Sequence, residues 1–561
     1  MQRIIDFFIK NKFLVLIIIL AALLRFYNVT QLPPALNWDE ISHGVNAYSI
    51  LKTGQDEWGV TLPTIFRAYG DYKLPVYIYS LVPFIAIFGL NEFSVRVVSV
   101  LAGLGTIIFT YLLVQTLLKK QEISILSAFF VAIEPWDLFL SRVAVEANLA
   151  LFLTIAGSYF FVSGLSNRWR LFIGITFFGL SVWTYNSVRI FVPLLMISLL
   201  IIYRNYFQEM WEKQRKTIAY CLLPIALLFL PMFWQLLNPV GLARYGWVGI
   251  LDEGAISQIN KERNTSKLPS PLPLLLHNKV TFVGEKFIQN YFSYFSPSFL
   301  FFNGGSQYQF NIPGKGLIYP TELAFIIIGL IWLVKNKNKE SLLILSWLFF
   351  SPIAASVTRE APHALRSIVM QPMPQLLAAI GLVIMWKWIT KKNFQLIAIV
   401  FYIVLLAAFF ENYITTYAGK YRVEYSWSWQ YGYKEAVRFI KDNYNSYDQI
   451  IMTKKYGEPH EFILFYWPWD PANYINDPNL IRFGQSNWFW IDRFDKFYFV
   501  NDWQIPSGED GKWKMESGGE VPTSGRTILI TSPSNYPPDF HLIKTINFLD
   551  GKPAFDILEK I

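Results

Sequence analysis

Residues 13–40 read FLVLIIILAALLRFYNVTQLPPALNWDE, an apolar run that is followed by a proline pair and then by an acidic pair. A short basic start with Arg3, Lys10 and Lys12 precedes the run, which lacks a small-residue cleavage site of the A-x-A kind. We therefore predict that the run is a signal-anchor helix retained in the membrane.

The rest of the chain has the composition of a membrane protein. Of its 561 residues, 53% are hydrophobic and only 16% are charged, whereas soluble domains carry about 25% charge. This composition excludes a string of soluble domains, a disordered chain, a coiled coil and a collagen. Further apolar runs have roughly the length of a membrane-spanning helix, about 17–25 residues. With the first run they predict eleven spans, the others near 93–118, 121–140, 145–165, 169–186, 188–203, 217–236, 318–334, 341–357, 367–386 and 394–411.

The charges of the connecting loops predict how the chain crosses the membrane. With a cytoplasmic N-terminus, every short inside loop is basic and the first outward loop is rich in acids, as the positive-inside rule requires. An odd number of spans then places the C-terminal region outside. The net charge of +9 therefore concerns topology and not nucleic acid. The basic loops are Lys119-Lys120, Arg168 to Arg170, Arg204 to Lys216, Lys335 to Lys339 and Lys387 to Lys392.

The predicted fold class is an α-helical polytopic membrane protein with a C-terminal soluble α+β domain. Residues 1–411 form the predicted transmembrane domain, and residues 412–561 form the predicted extracytoplasmic domain. Two helices lying against the membrane are predicted in the first outer loop, at 39–53 and at 74–89. The second long outward loop, 237–317, is predicted to cover a site.

The C-terminal region alternates between helix and strand patterns. Its eight tryptophans suit sugar stacking, but packing in a core is the favoured interpretation. The single Cys221 excludes a disulfide within the chain and a cysteine metal site, which suits a bacterial or archaeal protein. The pattern predicts a helix at Tyr433 to Asn443, strands at Gln449 to Thr453, Phe462 to Tyr466 and Thr527 to Thr531, and a hairpin turn at Asp550-Gly551.

Two outer segments near the first span carry charged residues. Asp39 and Glu40 open the first interfacial helix, where the N-terminal amides favour carboxylates. The simpler alternative is a capped helix with a charged first turn. Lys73 follows Tyr69 and Tyr72 and stands immediately before the second interfacial helix. A lysine in this position often extends to lipid phosphates, which needs no active site.

Two later outer turns are also charged. Arg142 and Glu146 are spaced by one helical turn, which predicts one shared helix face and either a cavity or a structural ion pair. His363 and Arg366 precede a proline-containing span, where a guanidinium can bind a phosphate or anchor the interface. Lys73, Arg142 and Arg366 all lie on the side where the charge rule disfavours basic residues. Together these signals predict a cavity that binds a substrate with a phosphate and that activates a hydroxyl group.

In their order along the chain, these motifs resemble the polyprenyl-phosphate-dependent glycosyltransferases of the C-type membrane fold (GT-C). The resemblance rests on the acidic pair, the Lys-x-Pro-x-x-Tyr segment, the Ser-Arg-x-x-x-Glu turn and the His-x-x-Arg motif, within residues 1–411. The chain is most similar to the group of protein O-mannosyltransferases and the lipid A aminoarabinose transferase. The resemblance implies inverting transfer of one hexosyl or pentosyl group from a polyprenyl-phosphate donor to a hydroxyl of a protein, lipid or glycan. The reaction would occur at the outer face of a bacterial or archaeal plasma membrane.

The resemblance also implies roles for individual residues. Asp39 takes the position of the family's general base, with Glu40 beside it, and Glu146 matches a second acid that shapes the site. Other residues would bind the donor phosphate and the rest of the substrate. The implied donor-phosphate residues are Lys73, Arg142 and Arg366, and possible substrate contacts are His43, Tyr69, Tyr72 and His363.

Three questions stay open at the level of sequence. Asp71 stands two residues before Lys73, not directly before it as in the lipid A transferases, so we predict no obligatory metal, although a divalent cation is possible. A lone histidine such as His43 is more often polar surface than a ligand. The alternative functions are a transporter or flippase of lipid-linked sugars and an oligosaccharide ligase or polymerase.

Overall fold

The computed structural model describes residues 11–213, 215–485, 488–505, 513–522 and 525–560. The predicted basic residues Arg3 and Lys10 lie outside the described residues. Contacts between Cα atoms divide the chain into two compact units. Unit 1 comprises Met1–Tyr27, Ser99–Ser141 and Val145–Ile414, and unit 2 comprises Asn28–Val98, Arg142–Ala144 and Thr415–Ile561.

Unit 2 therefore combines most of the first outer loop with the C-terminal region. The predicted division into functional domains, 1–411 and 412–561, stays a prediction.

Unit 1 is helical. The helix Lys12–Phe26 confirms the first predicted apolar helix, and the helix Glu92–Leu118 begins in unit 2 and continues in unit 1. Outside the segment 237–317, the other helices of unit 1 include Gln121–Ile133, Pro135–Leu140, Glu146–Ser163, Arg168–Val182, Val188–Ile202, Arg204–Lys213, Arg215–Pro224, Leu230–Leu236, Leu323–Lys335, Lys339–Phe350, Met373–Trp388 and Lys392–Thr415.

The predicted count of eleven spans is not confirmed. Among the described residues, five helices are long and apolar enough to cross a membrane, or six if a pair bent by 74° at Tyr203 forms one span. Several predicted spans are interrupted in the structure; the run 121–140, for example, breaks between Ile133 and Pro135 because proline cannot donate the helical hydrogen bond. The five helices are Glu92–Leu118, Glu146–Ser163, Ala219–Leu236, Ile368–Trp388 and Lys392–Glu424.

The segment 237–317, predicted as a covering loop, is largely helical. Asn278 forms a capping box with Thr281, and Asp252 accepts a hydrogen bond from the Ala255 amide. These caps satisfy helix N-termini in a segment whose scattered prolines and glycines had indicated an irregular loop. The helices are Pro239–Val248, Glu253–Thr265, Leu272–Leu276 and Lys279–Ser293, with a π-helix at Ser298–Asn303.

The first outer loop contains the two predicted helices. The helix Trp38–Thr53 ends at Gly54, whose φ of 73° lies in the left-handed region that suits glycine. The helix Pro75–Phe88 starts with proline in its first turn and ends at Gly89. Between them, strand β1 (Phe66–Ala68) pairs with β2 (Asp71–Lys73) in an antiparallel hairpin.

The C-terminal part of unit 2 is built on a mixed sheet. In the described residues the sheet has seven strands in the order β10-β11-β9-β3-β6-β5-β4, and β3 runs parallel to both β6 and β9 at its centre. Apolar side chains fill both faces of β3 and β9, where every residue is buried. The strands are β3 Gln449–Thr453, β4 Ile481–Gln485, β5 Trp488–Phe494, β6 Phe497–Val500, β9 Thr527–Thr531, β10 His541–Asn547 and β11 Pro553–Lys560, and β7 Trp513–Lys514 pairs with β8 Glu520–Val521 separately.

Most sequence predictions for this region are confirmed. The helix Tyr433–Asn443 and the strands β3 and β9 have the predicted bounds, and β10 and β11 form the predicted hairpin. The predicted strand 462–466 is wrong, because the helix Pro459–Tyr466 occupies it. A short apolar run fits a strand and a buried helix equally well, and Pro459 at the first helical position favours the helix.

The tryptophans of this region divide between core and surface. Trp429 and Trp513 are buried, as the core interpretation predicts, whereas Trp503 remains 72% exposed.

Candidate functional site

The acidic pair lies at a capped helix N-terminus in unit 2. The Asn37 side chain accepts a hydrogen bond from the Glu40 amide at 3.0 Å, and Glu40 Oε2 accepts one from the Asn37 amide at 3.1 Å. This reciprocal pair is a capping box, which satisfies two amides that the helix cannot pair internally. The predicted start of the helix is thus confirmed, and its cap fixes where the acidic pair points.

Glu40 is fully buried and binds Arg96. The Arg96 guanidinium donates to both carboxylate oxygens, from Nε at 2.9 Å and from Nη2 at 3.0 Å. The Ala144 amide donates a further bond to Oε1 at 2.8 Å. Arg96 also donates from Nη1 to the carbonyl of Val29 at 2.7 Å. Glu40 therefore links the start of its own helix to Arg96 and to the Ala144 amide within unit 2.

Asp39 faces a different environment. Its Oδ1 lies 2.7 Å from the ammonium of Lys73, and its side chain is 29% exposed, whereas the Lys73 side chain is 11% exposed. The two acids therefore have different surroundings: Glu40 is enclosed among hydrogen-bond donors, and Asp39 is partly exposed. The structure brings the acidic pair and the lysine segment together through the Asp39–Lys73 contact.

The β1–β2 hairpin positions Lys73. Its two-residue turn is Tyr69-Gly70, and Tyr69 adopts a φ of 53°, which is unusual for a residue other than glycine. The Tyr69 hydroxyl lies 2.7 Å from the carbonyl of Trp38, beside Asp39, and 2.6 Å from Glu461 Oε2. Burial, together with the Glu461 and Asp39 carboxylates, raises the pKa of Tyr69 well above its ordinary value, so the phenol stays protonated. Tyr69 thus links the hairpin directly to the first turn of the helix.

The other two possible substrate contacts in unit 2, Tyr72 and His43, both pack against aromatic rings. Tyr72 is partly buried and packs edge-on against Phe489, with ring centroids 6.0 Å apart. His43 is fully buried and lies against Tyr77, with centroids 5.1 Å apart. The interpretation of His43 as polar surface is therefore wrong, because the helix turns this residue into the core of unit 2.

Arg142 does not share a helix face with Glu146, so that prediction is wrong. Arg142 lies in a turn, Val145 is extended, and the helix begins only at Glu146. The Arg142 side chain is 3% exposed, donates to the Leu32 carbonyl at 3.0 Å and lies 5.7 Å from the Tyr417 ring centroid. Glu146 is a buried first-turn residue of unit 1, where helix amides favour a carboxylate.

A basic cavity in unit 1 contains Arg366. The guanidinium donates from Nη1 to Thr358 Oγ1 and from Nη2 to the exposed Glu360 carboxylate, both at 2.9 Å. The cavity measures about 330 Å³, and Arg189 and Arg244 line it together with Arg366. Arg189 is engaged with the Val182 carbonyl and the Gln235 side chain, and Arg366 is the lining residue that the sequence had suggested for a phosphate.

His363 supports the loop that carries Arg366. It is 3% exposed, its ring lies 5.3 Å from that of Phe310, and its carbonyl accepts a hydrogen bond from Ser367 at 3.0 Å. Burial and the nearby Arg366 and Arg244 lower the pKa of His363 well below its ordinary value, so its imidazole is neutral.

Sequence reasoning missed Arg96, Arg189 and Arg244. Arg96 and Arg189 stand at the outer ends of predicted spans, and Arg244 stands in a predicted outer loop. Arg366 was noticed because it is a basic residue on the outer side, where the positive-inside rule disfavours such residues. The same criterion would have identified Arg96, Arg189 and Arg244. The predicted site residues themselves divide between the units: Asp39, Glu40, His43, Tyr69, Tyr72, Lys73 and Arg142 lie in unit 2, and Glu146, His363 and Arg366 lie in unit 1.

Comparison with known proteins identifies relatives of the chain. The sequence model of the dolichyl-phosphate-mannose-protein mannosyltransferase family (PMT) matches residues 15–239. None of the curated protein sequences matches the chain significantly.

Solved structures give the fold. The chain is similar to ArnT from Cupriavidus metallidurans in the apo state, with a TM-score of 0.56, 10% sequence identity and 98% of each chain covered. The same protein bound to undecaprenyl phosphate gives a TM-score of 0.52, again at 10% identity with 98% of each chain covered. The apo oligosaccharyltransferase of Archaeoglobus fulgidus gives a TM-score of 0.49 at 13% identity over 81% of this chain, which spans only 63% of that protein's length. The chain therefore has the fold of ArnT, and the PMT family model matches its residues 15–239, which confirms the resemblance predicted from its motifs.

Proposed function

We propose that the protein is a membrane glycosyltransferase that moves one sugar from a polyprenyl-phosphate carrier to a hydroxyl of an acceptor. The observation that carries the proposal is the Asp39–Lys73 pair, a partly exposed carboxylate 2.7 Å from a lysine at a helix N-terminus fixed by Glu40 and Arg96. A carboxylate held beside a cation, but open on one side, suits proton transfer next to an anionic leaving group.

The proposed reaction is a single displacement with inversion. The acceptor hydroxyl oxygen forms a bond to the anomeric carbon, while the bond from that carbon to the phosphate oxygen breaks. Asp39 accepts the hydroxyl proton, and the polyprenyl phosphate leaves with the bonding electron pair. The transition state resembles an oxocarbenium ion, as in other glycosyl transfers that invert configuration.

Cationic groups would stabilise the leaving phosphate, where negative charge develops. Lys73 and Arg142 are the candidates for this role in unit 2, and Arg366, beside Arg189 and Arg244, is a separate candidate in unit 1. ArnT of Cupriavidus metallidurans binds undecaprenyl phosphate, and we propose a carrier of the same chemical class here. Binding of the phosphate by Lys73 would compete with Asp39 for the ammonium and so release the carboxylate towards the acceptor.

The remaining predicted residues take supporting roles in this proposal. Glu146, buried at the start of its helix, would shape the site as a second acid. Tyr69 and Tyr72 would position the hairpin and contact the substrate, whereas Glu40 and His363 would position their neighbours. No obligatory metal is proposed for this reaction. We also propose a bacterial or archaeal plasma membrane location, with the N-terminus in the cytoplasm and the reaction on the outer face.

The variant Asp39→Asn tests the proposal. We expect transfer to fall by at least about a hundredfold, because the amide cannot accept the acceptor proton, while the donor lipid still binds. Asp442→Asn, the same change on an exposed helix residue, is the matched control and should keep full activity. Full activity of Asp39→Asn would refute the role of Asp39.

Mass spectrometry of the lipid that co-purifies with Asp39→Asn identifies the substrate. A polyprenyl-phosphate monosaccharide is the expected result, and its mass distinguishes a hexose from a pentose. An undecorated lipid with no transfer activity in the wild type would instead favour a flippase.

A further inference from the structure

A group of buried acids lies around one histidine in unit 2, and one of these acids, Glu461, contacts Tyr69. Glu57 follows the helix Trp38–Thr53, and His460 and Glu461 stand in the first turn of the helix Pro459–Tyr466. All three side chains are buried, and one potential ligand atom from each lies within 4.8 Å of the others. We propose that Glu57, His460 and Glu461 bind one divalent transition-metal ion, with Zn²⁺ as the first candidate.

The distances within this cluster suit an ion better than direct hydrogen bonds. His460 Nε2 lies 3.8 Å from Glu57 Oε2, which is too long for a hydrogen bond. Two ligands bound to one tetrahedral Zn²⁺ ion at about 2.1 Å each are separated by about 3.4 Å. Only a small approach of the two side chains is therefore needed for both atoms to contact one ion.

Both proposed carboxylate ligands have a hydrogen-bond partner that orients them. Asn46 Nδ2 donates to Glu57 Oε1 at 3.2 Å, which leaves Oε2 directed to the histidine. The Tyr69 hydroxyl lies 2.6 Å from Glu461 Oε2. The second nitrogen of His460, Nδ1, lies 3.5 Å from Glu458 Oε2, and the two atoms form no hydrogen bond. Proteins usually orient a metal-binding histidine with a carboxylate at this second nitrogen, and Glu458 stands at that position.

The charge of this cluster is the second reason for a cation. Glu57, Glu458 and Glu461 are all at most 4% exposed. Glu57 Oε2 and Glu458 Oε2 make no hydrogen bond to any other part of the chain that the structure describes. Three enclosed carboxylates are costly unless a positive charge accompanies them.

Two cations beside the cluster, Lys454 and Arg482, already have partners. Lys454 lies 2.5 Å from Asp492 Oδ1, and Arg482 donates to the main-chain carbonyl of Glu57 and lies over the Trp58 ring at 4.9 Å. A bound divalent ion would balance the carboxylates without moving either residue. One imidazole and two carboxylates are ligands that Zn²⁺ accepts, whereas Ca²⁺ prefers oxygen ligands alone.

Metal analysis of the purified full-length protein tests this inference. We expect about one zinc ion per chain in the wild type and much less in Glu57→Gln and His460→Gln. His541→Gln, which removes an exposed histidine of strand β10, should keep the wild-type content. Equal metal content in all four proteins would overturn the proposed ligands.

A thermal-unfolding measurement on the wild type covers the case in which the variants fail to fold. After treatment with a chelator, addition of Zn²⁺ should raise the unfolding midpoint, because an ion that binds only the folded state stabilises it. Stabilisation by Mn²⁺ but not by Zn²⁺ would support the proposed site and identify manganese, and not zinc, as its ion. A wild type that contains no metal and does not respond to Zn²⁺, Mn²⁺ or Ca²⁺ would overturn the proposal and favour carboxylates that share protons. Neither result bears on Asp39→Asn, so this test fails or succeeds independently of the proposed reaction.

Discussion

At the scale of the residue, two adjacent carboxylates have opposite environments. Successive helical side chains point about 100° apart, so Asp39 meets Lys73 at the margin of unit 2 while Glu40 is enclosed with Arg96. The sequence predicted the acidic helix start and its cap, whereas the proposed role of Lys73 stays a prediction. The sequence did not predict which acid is enclosed, because Arg96 is distant in sequence and lies in a run that was predicted to cross the membrane.

This difference predicts unequal losses of stability. Glu40→Gln should destabilise the protein by about 3–5 kcal/mol, because it leaves the buried Arg96 guanidinium without its counter-charge. Asp39→Asn should cost at most about 1 kcal/mol, since its ion pair with Lys73 is partly exposed. The shift in thermal-unfolding midpoint, measured for both variants in the same detergent, checks this order. Equal shifts would contradict the structural role of Glu40.

At the scale of the element, helices and strands were predicted best where their hydrophobic pattern was long or where capping residues marked their ends. The helix Trp38–Thr53 combines a capping box with a terminal Gly54, and it was predicted to within one residue. The helix Pro459–Tyr466 was missed because its short apolar run has no period that separates it from a strand. The predicted span 217–236 contains a π-helical turn at Ile225–Phe229, which sequence periodicity does not reveal.

Packing between elements was beyond prediction from one sequence, and Gly44 shows why. This residue of the helix Trp38–Thr53 has no Cβ, and a Cβ placed there would lie 2.6 Å from the Phe465 ring and 3.0 Å from Val95 Cγ2. Gly44→Val should therefore destabilise unit 2 by about 1–3 kcal/mol through overpacking, and the unfolding midpoint should fall.

Gly284 provides the matched control for that prediction. It lies within the helix Lys279–Ser293, and a Cβ built there meets no atom within 4 Å. Gly284→Val should leave the midpoint nearly unchanged, since valine is a slightly better helix former than glycine. A similar fall in both variants would contradict the assignment of the Gly44→Val effect to the contact with Phe465.

At the scale of the whole molecule, the charge pattern predicts a topology that the fold alone does not establish. The basic loops would lie in the cytoplasm and the mixed sheet outside, so that Asp39 and Lys73 face the outer aqueous phase. The single Cys221 makes this prediction easy to test, because one substitution, Cys221→Ser, gives a background without cysteine.

Two single-cysteine variants in that background distinguish the two sides of the membrane. Lys337→Cys lies between the helices Leu323–Lys335 and Lys339–Phe350, and Asp442→Cys lies in the helix Tyr433–Asn443; both positions are exposed. A membrane-impermeant maleimide added to intact spheroplasts should label Asp442→Cys at once and Lys337→Cys only after permeabilisation. The opposite result would place the acidic helix start in the cytoplasm, where an acceptor for outer-face transfer could not reach Asp39. Because both positions are exposed, a difference in labelling would report the side of the membrane and not local burial.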